Sequence, residues 1–371
     1  MSSVYGSSTP NIAAAGAVDG SAGCLFGRYP LASRKFHTMI NHPGLSGIIY
    51  ECKPSSLYHD CIAGTPLGRR AWAFQERFLA PCTIHYSASQ LFWHCEELDA
   101  CEMFPEVLPD RYQSNATFLD KTQSLNLWSN IVRQFSECNL TFENDKLPAI
   151  SGIAKWMASQ VNDEYLAGLW RRDLESQLLW YSSKHLQDSP HLWRTYRAPS
   201  WSWASVDGAA AAAQIPITSQ SNLRIRVIQA EVSTVTSDSF GEVSWGIMRI
   251  SCGRILRGAF MFGGFQLGNG MSISISVYPT GAVEKEMPVC LLSIFDGPGD
   301  GWSGNSRRKI EELILRPTGF KKGQFYRIGD FSVHHRGGYD QQYREAETMP
   351  NTGISESEYE EGDRQYVIKI V

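Results

Sequence analysis

The sequence predicts an α+β chain in three parts: short strands around one compact helix over residues 1–105, a helical segment over 106–195, and a mostly antiparallel β domain over 196–371. Three observations predict this. In the stretch from Arg69 to Glu97 the apolar period changes from helical to extended. Between about 118 and 182 large apolar residues recur three and four apart, and after Pro199 the pattern becomes period two.

In the first part, Trp72, Phe74, Phe78 and Leu79 suit one face of a short helix that starts at Arg70 and ends before Pro81. Thr83 to Tyr86 then read as a strand, Ser87 to Gln90 as a turn, and Leu91 to Cys95 as a second strand. A core-facing helix must supply partners for Gln75, Glu76 and Arg77, because a buried ionised group is costly without one. They are expected to form a local network.

The middle segment predicts three amphipathic helices, marked by Leu125, Trp128, Val132 and Phe135, then by Ile150, Ile153, Ala154, Met157 and Val161, then by Leu166, Leu169, Trp170 and Leu174. Asn144 and Asp145 form a capping cluster ahead of the second. In the last part, Leu223, Ile225 and Val227 alternate with arginines, and Ile273, Ile275 and Val277 with serines, as half-buried strands do. Further strands are expected over 243–255, 289–294, 310–316, 324–333 and 365–371. Ala209 to Ala213 reads as a linker rather than a helix, and the acidic stretch 345–363 as a mobile loop.

Composition sets bounds on function. Of the 371 residues 43% are apolar and 12% aromatic, with 11 Trp, enough for an ample aromatic-rich core. A net charge of −4, from 34 basic and 38 acidic side chains, gives no global field to draw the protein onto nucleic acid or anionic lipid. No apolar stretch approaches the roughly 20 residues of a membrane span. The nine Cys lack any Cys-x-x-Cys pair, and their odd number points to reduced thiols in a cytoplasmic protein.

The densest set of potential ligands is Cys82, His85, His94, Cys95, Glu96, Glu97, Cys101 and Glu102, but the spacing does not suit zinc, and His94 and Cys95 would face opposite sides of a strand. No metal and no cofactor is expected. A Cys82–His85 nucleophile pair lacks an orienting third group, so a small buried Cys is the favoured reading. Glu76 is read first as a structural partner of Arg77 or Arg70, and second as a catalytic acid. Trp201 and Trp203 are read as a wedge between domains ahead of a ligand-stacking pair.

Arg70, Trp72, Gln75, Glu76, Arg77, Pro81, His85, Gln90, Leu91, Trp93 and Cys95 together resemble the closing motif of the fungal heterokaryon-incompatibility (HET) domain: Arg-Gly-Trp-Thr-Leu-Gln-Glu-Arg, a Pro, a strand with His, then Gln-Leu-x-Trp-x-Cys. Ala71 and Ala73 replace the usual Gly and Thr. Met1 to Pro30 is similar to the middle of such a domain, while the family's opening Ser-Tyr-x-Trp-Gly and its Trp-x-Asp-x-x-Cys-Ile-Asp-Gln segment occur nowhere in the chain. Tyr196 to Gly208, with Trp201 and Trp203, is similar to the Trp-rich segment that commonly follows the domain.

The resemblance implies a partial α/β segment, similar to Toll/interleukin-1 receptor domains, that lacks its N-terminal half. It implies a role in nonself recognition linked to programmed cell death, acting through protein partners or self-association and without catalysis in this form. The alternatives are an enzyme on the same scaffold, such as an NAD nucleosidase using Glu76, His85 and Cys95, or an inactive truncated gene product.

Overall fold

The computed structural model describes residues 2–28, 36–40, 48–52, 56–109, 124–182, 196–208, 210–212, 222–253, 255–261, 264–267, 272–273, 278–279, 287–298, 308–334, 360–362 and 365–371. The fold is α+β, and the chain divides into two compact units, Met1–Phe142 with Ala149–Met157, and Glu143–Pro148 with Ala158–Val371.

The first unit opens with a short helix, α1 (Ser2–Gly6), and a strand, β1 (Asn11–Ala13), followed by a hairpin of β2 (Phe36–Ile40) and β3 (Ile48–Cys52). Helix α2 (Ala71–Leu79) leads through Ala80 and Pro81 into β4 (Cys82–Tyr86), β5 (Leu91–Cys95) and β6 (Asp99–Cys101). Helix, turn and both expected strands thus stand where the apolar pattern puts them. These strands form a sheet in the order β1-β4-β5-β6, with β1 parallel to β4 and the other pairs antiparallel. Under one end of it Leu57, Cys61, Ile62, Phe92, Cys101, Met103, Phe104 and Leu108 make a core cluster. Helix α2 buries Ala71, Phe74 and Gln75, while Trp72, Phe78 and Leu79 are only half-buried. Its deepest face therefore lies about one residue round from the expected one.

Helix α3 (Ser124–Ser136) packs on α2, the Phe135 ring meeting that of Phe74 edge-on at 5.9 Å. Helix α4 (Ser151–Val161) is the second expected helix. The third is not a helix. Leu166, Leu169 and Trp170 lie in a tight antiparallel hairpin of β7 (Tyr165–Leu166) and β8 (Leu169–Trp170), and only Leu174 starts a single turn, α5 (Leu174–Gln177). Ala167 and Gly168 take φ of 47° and 99°, the left-handed conformation of a two-residue hairpin turn, which no helix admits. The expected boundaries at 105 and 195 do not coincide with the division into units: α3 falls in the first unit, and Ala158 onward belongs with the β domain.

In the second unit β9 (Trp180–Ser182) pairs with β10 (Ala210–Ala212), so the five-alanine stretch contributes a strand and not a linker. Ala210 is fully enclosed. The remaining strands are β11 (Ile225–Thr234), β12 (Val243–Cys252), β13 (Ile255–Met261), β14 (Gly264–Leu267), β15 (Ser272–Ile273), β16 (Tyr278–Pro279), β17 (Pro288–Pro298), β18 (Arg308–Pro317), β19 (Gln324–His334), β20 (Glu360–Gly362) and β21 (Gln365–Ile370). Their pairing is antiparallel except for a two-residue parallel contact of β19 with β21.

The path β11-β12-β21-β19-β18-β17 closes into a six-strand ring, because Leu223 bridges Phe295 and the Arg224 N–H donates to the Ile294 carbonyl at 2.8 Å. An Arg224–Asp296 ion pair at 2.7 Å reinforces the seam. This closure covers only the start of the edge: further along, the Val227 N–H of β11 donates to Glu175 Oε1 at 2.8 Å. Residues 274–277, with Ile275 and Val277, and nearly all of the acidic stretch 345–363 lie outside the described residues, apart from β20, which pairs with β21.

Candidate functional site

The four-stranded sheet of the first unit carries the polar motif residues, and strand alternation decides which of them meet. Thr83 pairs with His94 and His85 with Phe92, so Thr83, His85, Phe92 and His94 share one face, while Cys82, Trp93 and Cys95 lie on the other. His85 and Cys95 therefore point away from each other. Glu76 stands on α2 and hydrogen-bonds the Tyr5 phenol, which burial first, and that contact second, push up to about 12. The three candidate catalytic residues do not converge.

The expected Gln75–Glu76–Arg77 network is likewise absent, because consecutive helical side chains point about 100° apart. Gln75 is buried, and its Oε1 accepts the Gly152 N–H at 2.5 Å in the first turn of α4, where backbone donors lack helical partners. Glu76 takes Tyr5. Arg77 lays its guanidinium 5.3 Å over the Phe74 ring and makes no ion pair among the described residues, so the expected pairing of Glu76 with Arg77 or Arg70 does not form. Arg70 caps α2 and bridges Asn139 through the backbone. Pro81, exposed, ends the helix.

The second motif glutamine is also structural. Gln90 accepts the Met103 N–H at 3.2 Å and donates to Cys61 Sγ at 3.8 Å, tying the β4–β5 turn to the core cluster. Cys82 and Cys95 stand opposite each other as free thiols, one donating to the Thr9 carbonyl and the other to that of Leu98. Trp93 is half-buried.

His85 is 3% exposed, with its Nε2 unpartnered, and its ring lies edge-on to Phe92. Burial chiefly, and then the charges of Arg77 and His94, hold its pKa down at about 3, so the imidazole is neutral. Beside it lies a constellation that pattern reading missed. Asn11, Thr83, His94 and Asp99 form one lateral row across all four strands, through the pairs Asn11–Thr83, Thr83–His94 and His94–Asp99. Asp99 binds His94 Nδ1, its own side chain 1% exposed against 21% for His94. The Asn11 amide donates to the Thr83 hydroxyl at 3.5 Å. Only the strand register, with β1 some 70 residues upstream of β4, brings these four together, and no local spacing signals it.

Comparison of the chain with protein-family models, curated proteins and solved structures gives no match.

Among the described residues no group of three or more His, Cys, Asp and Glu is placed to hold a metal ion. Trp201 and Trp203 lie within the second unit and are fully enclosed: Trp203 donates to the Gly168 carbonyl at 2.7 Å, and the Trp201 carbonyl accepts from Trp180 at 2.9 Å. Neither presents a ring face to a ligand. Lys146 is buried against Trp203, 5.4 Å above its ring, and donates to the Val206 carbonyl. Desolvation, and then Arg197, lower its pKa to about 7 against the opposing pull of Asp207.

Proposed function

We propose that this chain is a nonself-recognition signalling protein of the heterokaryon-incompatibility type, acting through protein partners or self-association, cytoplasmic and without catalysis of its own. One observation carries the reading. The two glutamines of the Arg70–Cys95 motif spend their side chains on backbone and thiol groups of the same unit, Gln75 on Gly152 and Gln90 on Met103 and Cys61. Two motif glutamines committed to internal contacts support reading this segment as a scaffold. The parallel β1–β4 pair supports the α/β, Toll/interleukin-1-receptor-like part of the reading. The free thiols at the facing Cys82 and Cys95 support a reducing compartment.

The test is expression in a filamentous fungus, with viability scored against Glu76→Ala and Trp72→Ala. Death with the parent chain, abolished by either substitution at equal protein level, is expected. Normal growth with soluble parent protein rejects the proposal. The rival reading, an NAD nucleosidase using Glu76, His85 and Cys95, requires groups that here lie on a helix and on opposite sheet faces to cooperate. Unchanged NAD after incubation with concentrated protein removes it.

A further inference from the structure

Among the described residues, one pair of cysteines stands directly opposite across neighbouring strands: Cys82, the first residue of β4, and Cys95, the last of β5. Directly opposite residues share a sheet face, so both side chains emerge on the same side. The pair is of the non-hydrogen-bonded kind, because the Cys95 N–H points away from β4 and donates to the Leu98 carbonyl at 3.1 Å. Facing Cα atoms in such a pair stand roughly 4.5 Å apart, against roughly 5.5 Å in a hydrogen-bonded one, and their side chains lie closer. A disulfide spans Cα separations of about 4.4–6.8 Å, so the backbone already holds these two residues at bridging distance.

The pair is also reachable. Cys82 and Cys95 are both half-exposed, as are Ile84 and Trp93 beside them on the same face, while Thr83, His85 and Phe92 on the other face are buried. Pro81 before Cys82, and Glu96 and Glu97 after Cys95, are exposed, so the two thiols lie at the open end of the hairpin. Their present contacts are weak: Cys82 donates to the Thr9 carbonyl at 2.9 Å and Cys95 to the Leu98 carbonyl at 3.4 Å. Rotation about the two Cα–Cβ bonds turns the sulfurs toward each other at the loss of those bonds. Cys61 and Cys101, by contrast, are buried in the core cluster.

We infer that Cys82 and Cys95 are a site of reversible disulfide formation, closed by exchange with a small disulfide of the glutathione type. The thiolate of one cysteine attacks a sulfur of oxidised glutathione, forming a protein–glutathione bond as the glutathione S–S bond breaks and one glutathione thiolate leaves. The thiolate of the other cysteine then attacks the protein sulfur of that mixed disulfide, so the Cys82–Cys95 bond forms and the second glutathione thiolate leaves. The protons shed by the two cysteines end on the two glutathione thiolates: the pair is oxidised, and one glutathione disulfide is reduced to two thiols. The bond staples the end of the hairpin that α2 enters through Ala80 and Pro81, and takes the Cys82 donor from Thr9, just ahead of β1. The inference goes beyond the signalling reading and stands independently of it, since it rests on register and exposure in one sheet.

The experiment equilibrates the full chain in glutathione buffers of increasing oxidised fraction, quenches with acid, alkylates the remaining thiols and maps the peptides by mass spectrometry. A linked Cys82–Cys95 peptide is expected that grows as the buffer becomes more oxidising and disappears with dithiothreitol. The folded chain is expected to favour the link over the urea-unfolded chain by about tenfold or more in equilibrium constant, because the register orients the two residues beforehand. Cys82→Ser is expected to leave Cys95 at the mixed glutathione disulfide, and Cys95→Ser to leave Cys82 there. Should either variant fail to fold, the parent's peptide map decides. Absence of the link across the whole buffer series, linkage of either cysteine to a different one, or equal linkage in the folded and unfolded chain overturns the inference.

Discussion

The Trp203 indole N–H donates to the Gly168 carbonyl at 2.7 Å, and the same indole fills the space where a side chain on Gly168 would begin. Gly168 has φ of 99°, a conformation that costs any other residue of order 1–3 kcal/mol. A Cβ there would stand 2.6 Å from Trp203 Nε1 and 2.9 Å from Cε2. Gly168→Ala is therefore expected to combine strain with a clash against a fully buried ring, lowering stability by roughly 2–4 kcal/mol in denaturant titration. A loss under about 0.5 kcal/mol, the range of neutral surface changes, would show that the β7–β8 turn is not held as described.

Gln75 reaches across the first unit to the start of α4, and Gly152 leaves room for it: a Cβ on Gly152 would lie 2.6 Å from Gln75 Oε1. Gln75→Leu keeps the bulk and leaves the buried Gly152 N–H without an acceptor. The expected cost is about 1–3 kcal/mol, the penalty for one buried unsatisfied donor. Hydrogen exchange offers the sharper check, since the first-turn amides of α4 should lose protection ahead of those of β4 and β5.

Much of this architecture was legible in the sequence because its signals are local. The α2 helix, the β4–β5 hairpin and strands such as β18 and β19 follow from apolar period and from Pro81. The β7–β8 hairpin was missed because Leu166, Leu169, Trp170 and Leu174 repeat at spacings of three, one and four, a pattern a helix also satisfies. Only the left-handed Ala167–Gly168 pair settles it. The closure of the ring at Leu223 and Phe295, and the polar row from Asn11 to Asp99, depend on register between distant strands, which period alone does not carry.

His85 is neutral when folded, with a pKa near 3 against an ordinary value of 6.5. The folded state therefore resists protonation that the unfolded state accepts, so the stability His85 contributes is complete above pH 6.5 and is lost as pH falls from there toward 3. His85→Phe, packed on Phe92, is expected to flatten that part of the stability profile relative to the parent. Parallel profiles for the two proteins between pH 6.5 and 3 would contradict a buried neutral imidazole.

Asp330 behaves in the opposite sense. It lies on β19 beside the wholly buried Arg327, whose guanidinium stacks 3.5 Å from the centre of the Trp180 ring, bonds the Trp180 carbonyl and meets Asp330 Oδ1 at 3.3 Å. Burial raises the Asp330 pKa to about 7, with Glu311 adding to the rise and Arg327 opposing it, while Glu311 is itself bonded to Lys309. An unfolded Asp releases its proton near pH 4 and the folded one holds it until about 7, so stability is greatest below pH 4 with respect to this group and declines as pH climbs to 7. Asp330→Asn removes the titration, and melts of the full chain at intervals from pH 4 to 7 should show the variant gaining on the parent throughout that window. A variant that instead loses ground as pH rises would mean that the carboxylate is ionised in the fold and is needed as the counter-charge of Arg327.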